Sequence, residues 1–156
     1  ATIRSIAAVA GIDPALVMRY YGNKEGLFAA AAEFDLRLPD LGALPRRQVG
    51  AALVGHFLDR WEGDETLMAL LRAAVTTEAV RERMQAIFAT QVAPQVIALS
   101  GLPRADALAR AGLISSQILG LALCRYVLKL PPVVKLTRSE VVRRVGAVVQ
   151  GYLFDA

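Results

Sequence analysis

Apolar residues recur every three or four positions along almost the whole chain, and no stretch alternates with the two-residue period of a strand. That periodicity restricts the chain to packed helices, and an all-α fold is expected. Its punctuation divides the helices. Residues 2–10 place Ile3, Ile6, Ala7 and Ala10 on one face, and Gly11 ends the segment. Asp13 and Pro14 restart it as N-cap and first helical residue, the pair best suited to those positions. A very short helix runs to Tyr21; Gly22 breaks it, and Asn23 caps the next, with Leu27, Phe28, Ala31 and Phe34 in line. Residues 39–45 carry two prolines and a glycine without helical period, and read as a connector.

Beyond the connector, 47–61 is amphipathic through Val49, Leu53, His56, Phe57 and Arg60. Asp64 is expected to cap a helix bearing Leu67, Leu70, Leu71 and Ala74, and Thr76 another bearing Val80, Met84, Ile87 and Phe88, which Pro94 kinks or splits. Pro103 opens a long helix that must stop before Pro131 and Pro132. Thr137 and Glu140 have the spacing of a capping box for a last helix carrying Val141, Val145, Val148 and Val149. The boundaries give a module at 1–38, a connector at 39–46 and a larger helical domain at 47–156.

Composition narrows the class. Charged residues make up only 21% of the chain and mean hydropathy is +0.43, which excludes disorder and points to surface buried against a partner. The uncharged run between Arg110 and Arg125 is 14 residues, short of the roughly 18–20 that cross a bilayer, so a buried helix and no membrane partner are expected. Arg4 interrupts the N-terminus and no long apolar stretch follows, so no signal peptide is read and a reducing cytoplasm is expected. The chain opens on Ala1 rather than Met, as a fragment or trimmed chain would.

One cysteine, Cys124, and one histidine, His56, exclude an intrachain disulfide and argue against a metal cluster. No carboxylate pair, nucleophile with a nearby histidine, or glycine-rich phosphate loop supports an enzyme, and no catalytic residue, metal or cofactor is expected. The net charge of +4 permits an anionic partner but does not locate one: residues 1–38 hold four basic and four acidic residues, and the excess lies beyond them.

A helix, a glycine turn and a short helix fit either a helix-turn-helix or an ordinary helical hairpin. In the former, Val17 and Tyr21 point inward and Ala15, Met18 and Arg19 outward. The residues at 3–31 resemble the DNA-binding segment of the tetracycline-repressor (TetR) family of bacterial regulators: Ile6 with Ala7, Ala10 with Gly11, Val17, the Tyr20 and Tyr21 pair, Asn23 with Lys24, and Leu27 all fit its pattern. The resemblance covers about a fifth of the chain. It implies a homodimeric regulator, a repressor, binding double-stranded palindromic operator DNA and released by a small apolar effector. It further implies that Thr2, Tyr20 and Lys24 hold the DNA backbone, that Arg4 reaches bases or phosphate, and that Pro14, Ala15, Leu16 and Met18 line the reading face. That face is mostly apolar, which favours thymine methyl contacts and shape over dense base hydrogen bonding. The family also has a helix ahead of this segment; here the chain begins where the second would start. Residues 47–156 match only in style the family's all-helical domain.

Two further constellations keep two readings each. Leu108, Gly112, Ser116, Gly120 and Cys124 recur every four residues, and Val142, Gly146 and Gln150 form a similar stripe on the last helix. Small side chains allow close helix approach, either across a dimer interface or within one subunit. His56, Trp61, Met68, Met84, Phe88, Gln91, Gln117 and Cys124 either line a ligand pocket or belong to the core. The alternative overall reading is a helical ligand-binding or scaffold dimer that does not bind DNA.

Overall fold

The computed structural model describes residues 34–156, and among them there are helices and no strands. After short 3-10 turns at Leu41–Ala43 and Arg46–Gln48 come α1 (Val49–Gly63), α2 (Glu65–Ala74), α3 (Glu78–Ile87), α4 (Ala93–Ser100), α5 (Arg104–Ala122), α6 (Pro131–Val134) and α7 (Arg138–Phe154). Single π-turns link α3 to α4 at Phe88–Val92 and prolong α5 at Leu123–Val127. The chain divides into two compact units, Ala1–Leu36 with Trp61–Thr90 and Arg37–Arg60 with Gln91–Ala156.

The expected punctuation largely sets the helix ends. Asp64 accepts a hydrogen bond from the Thr66 amide at 2.8 Å and caps α2. Thr137 and Glu140 form the full capping box of α7, with both reciprocal bonds at 3.1 Å. Pro94 falls in the first turn of α4, directly after the π-turn, so the helix beginning with α3 is divided there. Gly101, at φ 66°, ends α4 in the left-handed region that glycine occupies without strain. The N-cap position of α3 is Thr77 rather than Thr76, without a side-chain capping hydrogen bond; the Ala73 carbonyl accepts both threonine amides, and α3 starts one residue later. Residues 34–40 are not helical, and Arg37 has φ 52°, so the helix expected from Asn23 does not extend through them.

In the first unit α2 packs on α3, burying Leu67, Leu70, Ala73, Val80 and Ile87. In the second, α5 packs against α4 and α7 and buries the stripe Ala107, Ala111, Ile114, Ile118 and Ala122, while α7 buries Val141, Val149 and Leu153. Val148, expected on the same inward face, is 43% exposed. Arg110 on α5 donates to the backbone oxygens of Tyr152, at 3.0 Å, and Asp155, covering carbonyls that the end of α7 leaves unpaired. Arg125 does the same for the Val133 and Leu136 carbonyls around α6, both at 3.0 Å.

α1 and α7 run antiparallel in near backbone contact. A methyl group at Gly50 would lie 2.4 Å from the Gly146 carbonyl oxygen, and one at Gly146 would lie 2.9 Å from the Ala51 Cα. Gly50→Ala therefore requires the two backbones to separate, and should cost about 1–3 kcal/mol, read as a lower urea midpoint. Thr137→Ala should cost about 1 kcal/mol through loss of the cap alone. A Gly50→Ala protein as stable as the parent would show that the helices approach less closely.

Candidate functional site

The expected DNA-contacting residues Thr2, Arg4, Pro14, Ala15, Leu16, Met18, Tyr20 and Lys24 lie outside the described residues. The small-residue stripes expected at an interface lie on α5 and α7, within the described residues.

α5 has two unlike faces. At 3.6 residues per turn, the line through Gly112, Ser116 and Gly120 lies nearly opposite the buried stripe through Ala111, Ile114 and Ile118. A methyl group at Gly112 or Gly120 would meet nothing within 4 Å among the described residues. Beside them Leu113 is 46% exposed, and Ser116 and Gln117 are exposed too. The Ser116 hydroxyl donates to the Leu113 carbonyl at 2.8 Å, so this polar group is satisfied within its own helix and demands no partner. Cys124, at the end of the stripe, is a half-buried free thiol on the π-turn. The helical stretch Arg104–Val127 is long and apolar enough to cross a membrane by length and composition, with mean hydropathy 1.5 over its best window and 28% of that window buried. The expectation of a buried helix thus needs correction: one face is buried and the other is apolar and open.

The stripe on α7 is used differently. Gly146 is buried against Ala51, and Val142 lies beside Gly55, its Cγ2 3.9 Å from where a methyl there would sit. Gln150 accepts a hydrogen bond from the Gly50 amide and donates one to the Arg46 carbonyl, each at 2.8 Å. The inferred interface residues of α7 therefore face α1 of their own chain. Spacing of small residues signals a close approach but not which helix approaches, and here Gly50 supplies the matching gap. Arg138 extends this contact, donating to the Gly55 carbonyl at 3.0 Å and pairing with Asp59 at 2.8 Å; Arg46 stacks over the Phe154 ring, 4.3 Å from its centre. Sequence reasoning missed Arg46, Gly50 and Gly55. The available signal was two glycines within one helical segment, where each costs about 1 kcal/mol relative to alanine.

The pocket candidates are divided between the units. Trp61 and Met68 are buried and Met84 and Phe88 half-buried in the first; His56 and Gln91 are half-buried in the second. The His56 ring meets Phe57 edge-on, with centres 6.0 Å apart. Gln117 is exposed on the open side of α5 among the described residues.

A family model described as the tetracyclin repressor-like C-terminal domain matches residues 48–153, from the last 3-10 turn almost to the end of α7. A search of curated proteins found no match. The matched segment contains α1 to α6, all of α7 but its last residue, and more than half of the chain, and on that ground this protein belongs to the tetracycline-repressor family.

Proposed function

We propose that this protein is a non-enzymatic, cytoplasmic transcriptional regulator, acting as a repressor. It binds near-palindromic double-stranded operator DNA as a homodimer and releases it when a small, mainly apolar effector occupies the C-terminal domain. The observation that carries this reading is the combination in one chain of the helix-turn-helix pattern at 3–31 with the family's C-terminal domain at 48–153. A two-fold dimer presents two reading helices to two half-sites, which is why the operator should be palindromic.

The open face of α5 is the proposed dimer seam, through Gly112, Leu113, Ser116 and Gly120. Its exposed apolar side chain and its glycines suit a second helix at short range, and pairing with another copy would bury surface that its own chain leaves open. An effector could release DNA only by binding more tightly to the conformation in which the two reading helices are wrongly spaced.

DNA selected by the protein from a random-sequence pool tests the regulator reading: enrichment of a palindrome supports it, and no enrichment favours a scaffold or ligand-binding dimer. With a selected duplex, Lys24→Ala should weaken binding about equally on all sequences and lower the salt slope by about one. Leu16→Ala should instead change preference among operator variants. Normal affinity in Lys24→Ala at moderate salt would remove that residue from the phosphate contacts.

Gly120→Leu tests the seam, because a Cβ there meets nothing within 4 Å among the described residues. The variant should sediment as a monomer while its circular dichroism stays helical, since overpacking a helix interface costs about 1–3 kcal/mol. An unchanged dimer would place the seam elsewhere.

A further inference from the structure

Three of the large apolar side chains left exposed lie in one short segment beyond the end of α5. Leu128 is 57%, Val134 47% and Leu130 42% exposed, and Pro131 and Pro132 between them are exposed too. The backbone that carries them is held in place. The Leu130 amide donates to the Cys124 carbonyl at 3.0 Å, and the Val133 and Val134 amides donate to the Leu130 carbonyl at 2.9 Å as α6 begins. Pro131 and Pro132 have no amide to satisfy. Arg125 supplies donors to the Val133 and Leu136 carbonyls. Polar main-chain groups are therefore paired within the segment, while its leucines and valine stay in water. Lys129 stands between the two leucines at φ 51°, a conformation that glycine would hold with less strain, so a charged side chain is kept there against the backbone preference.

The charge around this segment has one sign. Between Asp106 and Glu140 the chain carries Arg110, Arg125, Lys129, Lys135 and Arg138 and no carboxylate. The three arginines are engaged by backbone carbonyls, Arg138 also by Asp59. Lys129 and Lys135 are exposed and form no ion pair among the described residues. Apolar side chains flanked by unpaired cations, on a backbone already hydrogen-bonded, complement an anionic bilayer surface: the acyl boundary takes leucine and valine, and the headgroups take the ammonium groups. A nucleic acid would answer the lysines and leave the leucines in water. A second copy docked through the same segment by a two-fold axis would bring like charges together.

We propose that residues 128–135 dock onto an anionic phospholipid surface. Leu128, Leu130 and Val134 enter the boundary between headgroups and chains, and Lys129 and Lys135 pair with the phosphates. The segment is far too short to cross a bilayer and lies on one. This docking does not depend on the regulator function proposed above.

The full chain is sedimented with vesicles of phosphatidylcholine alone and of an equimolar mixture with phosphatidylglycerol. It should pellet with the mixed vesicles, far less with the neutral ones, and less as salt rises. Lys129→Gln combined with Lys135→Gln should weaken partitioning about twentyfold, at about fivefold per lysine. Leu128→Gln combined with Val134→Thr should weaken it about tenfold. All four positions are exposed, so both double variants should keep the parent's circular dichroism and its sedimentation without lipid. In a third variant, Leu128→Trp, fluorescence should shift to the blue on mixed vesicles alone, while the parent's Trp61, only 4% exposed, should not respond. If a double variant fails to fold, Leu128→Trp carries the test.

A parent chain that does not pellet with mixed vesicles would overturn the proposal and leave an acidic protein as the partner of this segment. Pelleting that both double variants leave unchanged would place lipid binding on another surface and overturn it equally. Binding lost only in the lysine variant, with no shift in Leu128→Trp, would reduce the contact to charge alone and overturn insertion. A change of oligomeric state in the Leu128→Gln and Val134→Thr variant would assign these side chains to a contact between copies, and the lipid site would fall.

Discussion

The contact between α1 and α7 sets the rest of the second unit. It is made by absence of side chains: Gly50 and Gly146 let two backbones meet at distances that any Cβ would forbid. Within that approach, polar groups from one helix can reach the main chain of the other, and they do so at both ends. Arg138 takes the Gly55 carbonyl near the start of α7, and Gln150 takes the Gly50 amide and Arg46 carbonyl towards its end. The exposed Arg138–Asp59 ion pair adds little by comparison, since solvent screens it.

α7 is fastened to α1 on one side and packed on α5 on another, and its stripe of small residues faces α1, with Gly146 buried and Val142 and Gln150 half-buried. α5 is the complement. It spends Ala107, Ala111, Ile114, Ile118 and Ala122 inside the chain and leaves Gly112, Leu113 and Ser116 exposed and Gly120 half-buried. Of the large hydrophobic residues left exposed, Leu113 and Leu123 lie on α5 and its π-turn, while Val75, Leu128, Leu130, Val134 and Val148 lie elsewhere.

Local signals were legible wherever one residue type solves a local problem. Thr137 with Glu140, Asp64 and Pro94 each act on backbone groups within a few residues, and each marks a helix end close to where the sequence put it. The N-cap position falls one residue after Thr76, because the amides of Thr76 and Thr77 both bond back to the Ala73 carbonyl and carry the preceding turn further. Phe34 and Leu36 are buried as their apolar character suggests, yet not in a helix. Arg37 turns the backbone into the left-handed region there, and no glycine announces it.

By itself the sequence determined an all-helical chain, its main breaks, and a pattern at its start that points to DNA. The helices and breaks follow from periodicity and caps, which operate over one or two helical turns; the pattern at the start is a resemblance to a family's DNA-binding segment. Only the tertiary structure decided which small-residue stripe is closed and which is open. The stripes on α5 and α7 look alike in sequence, and no short-range rule distinguishes a glycine that admits a neighbouring helix from one left facing outward. The difference lies in Gly50, about a hundred residues from Gln150, whose backbone completes the contact on one stripe and is absent from the other. Partner choice at a helix face depends on what the fold brings opposite it, and that is a property of the packing rather than of the segment.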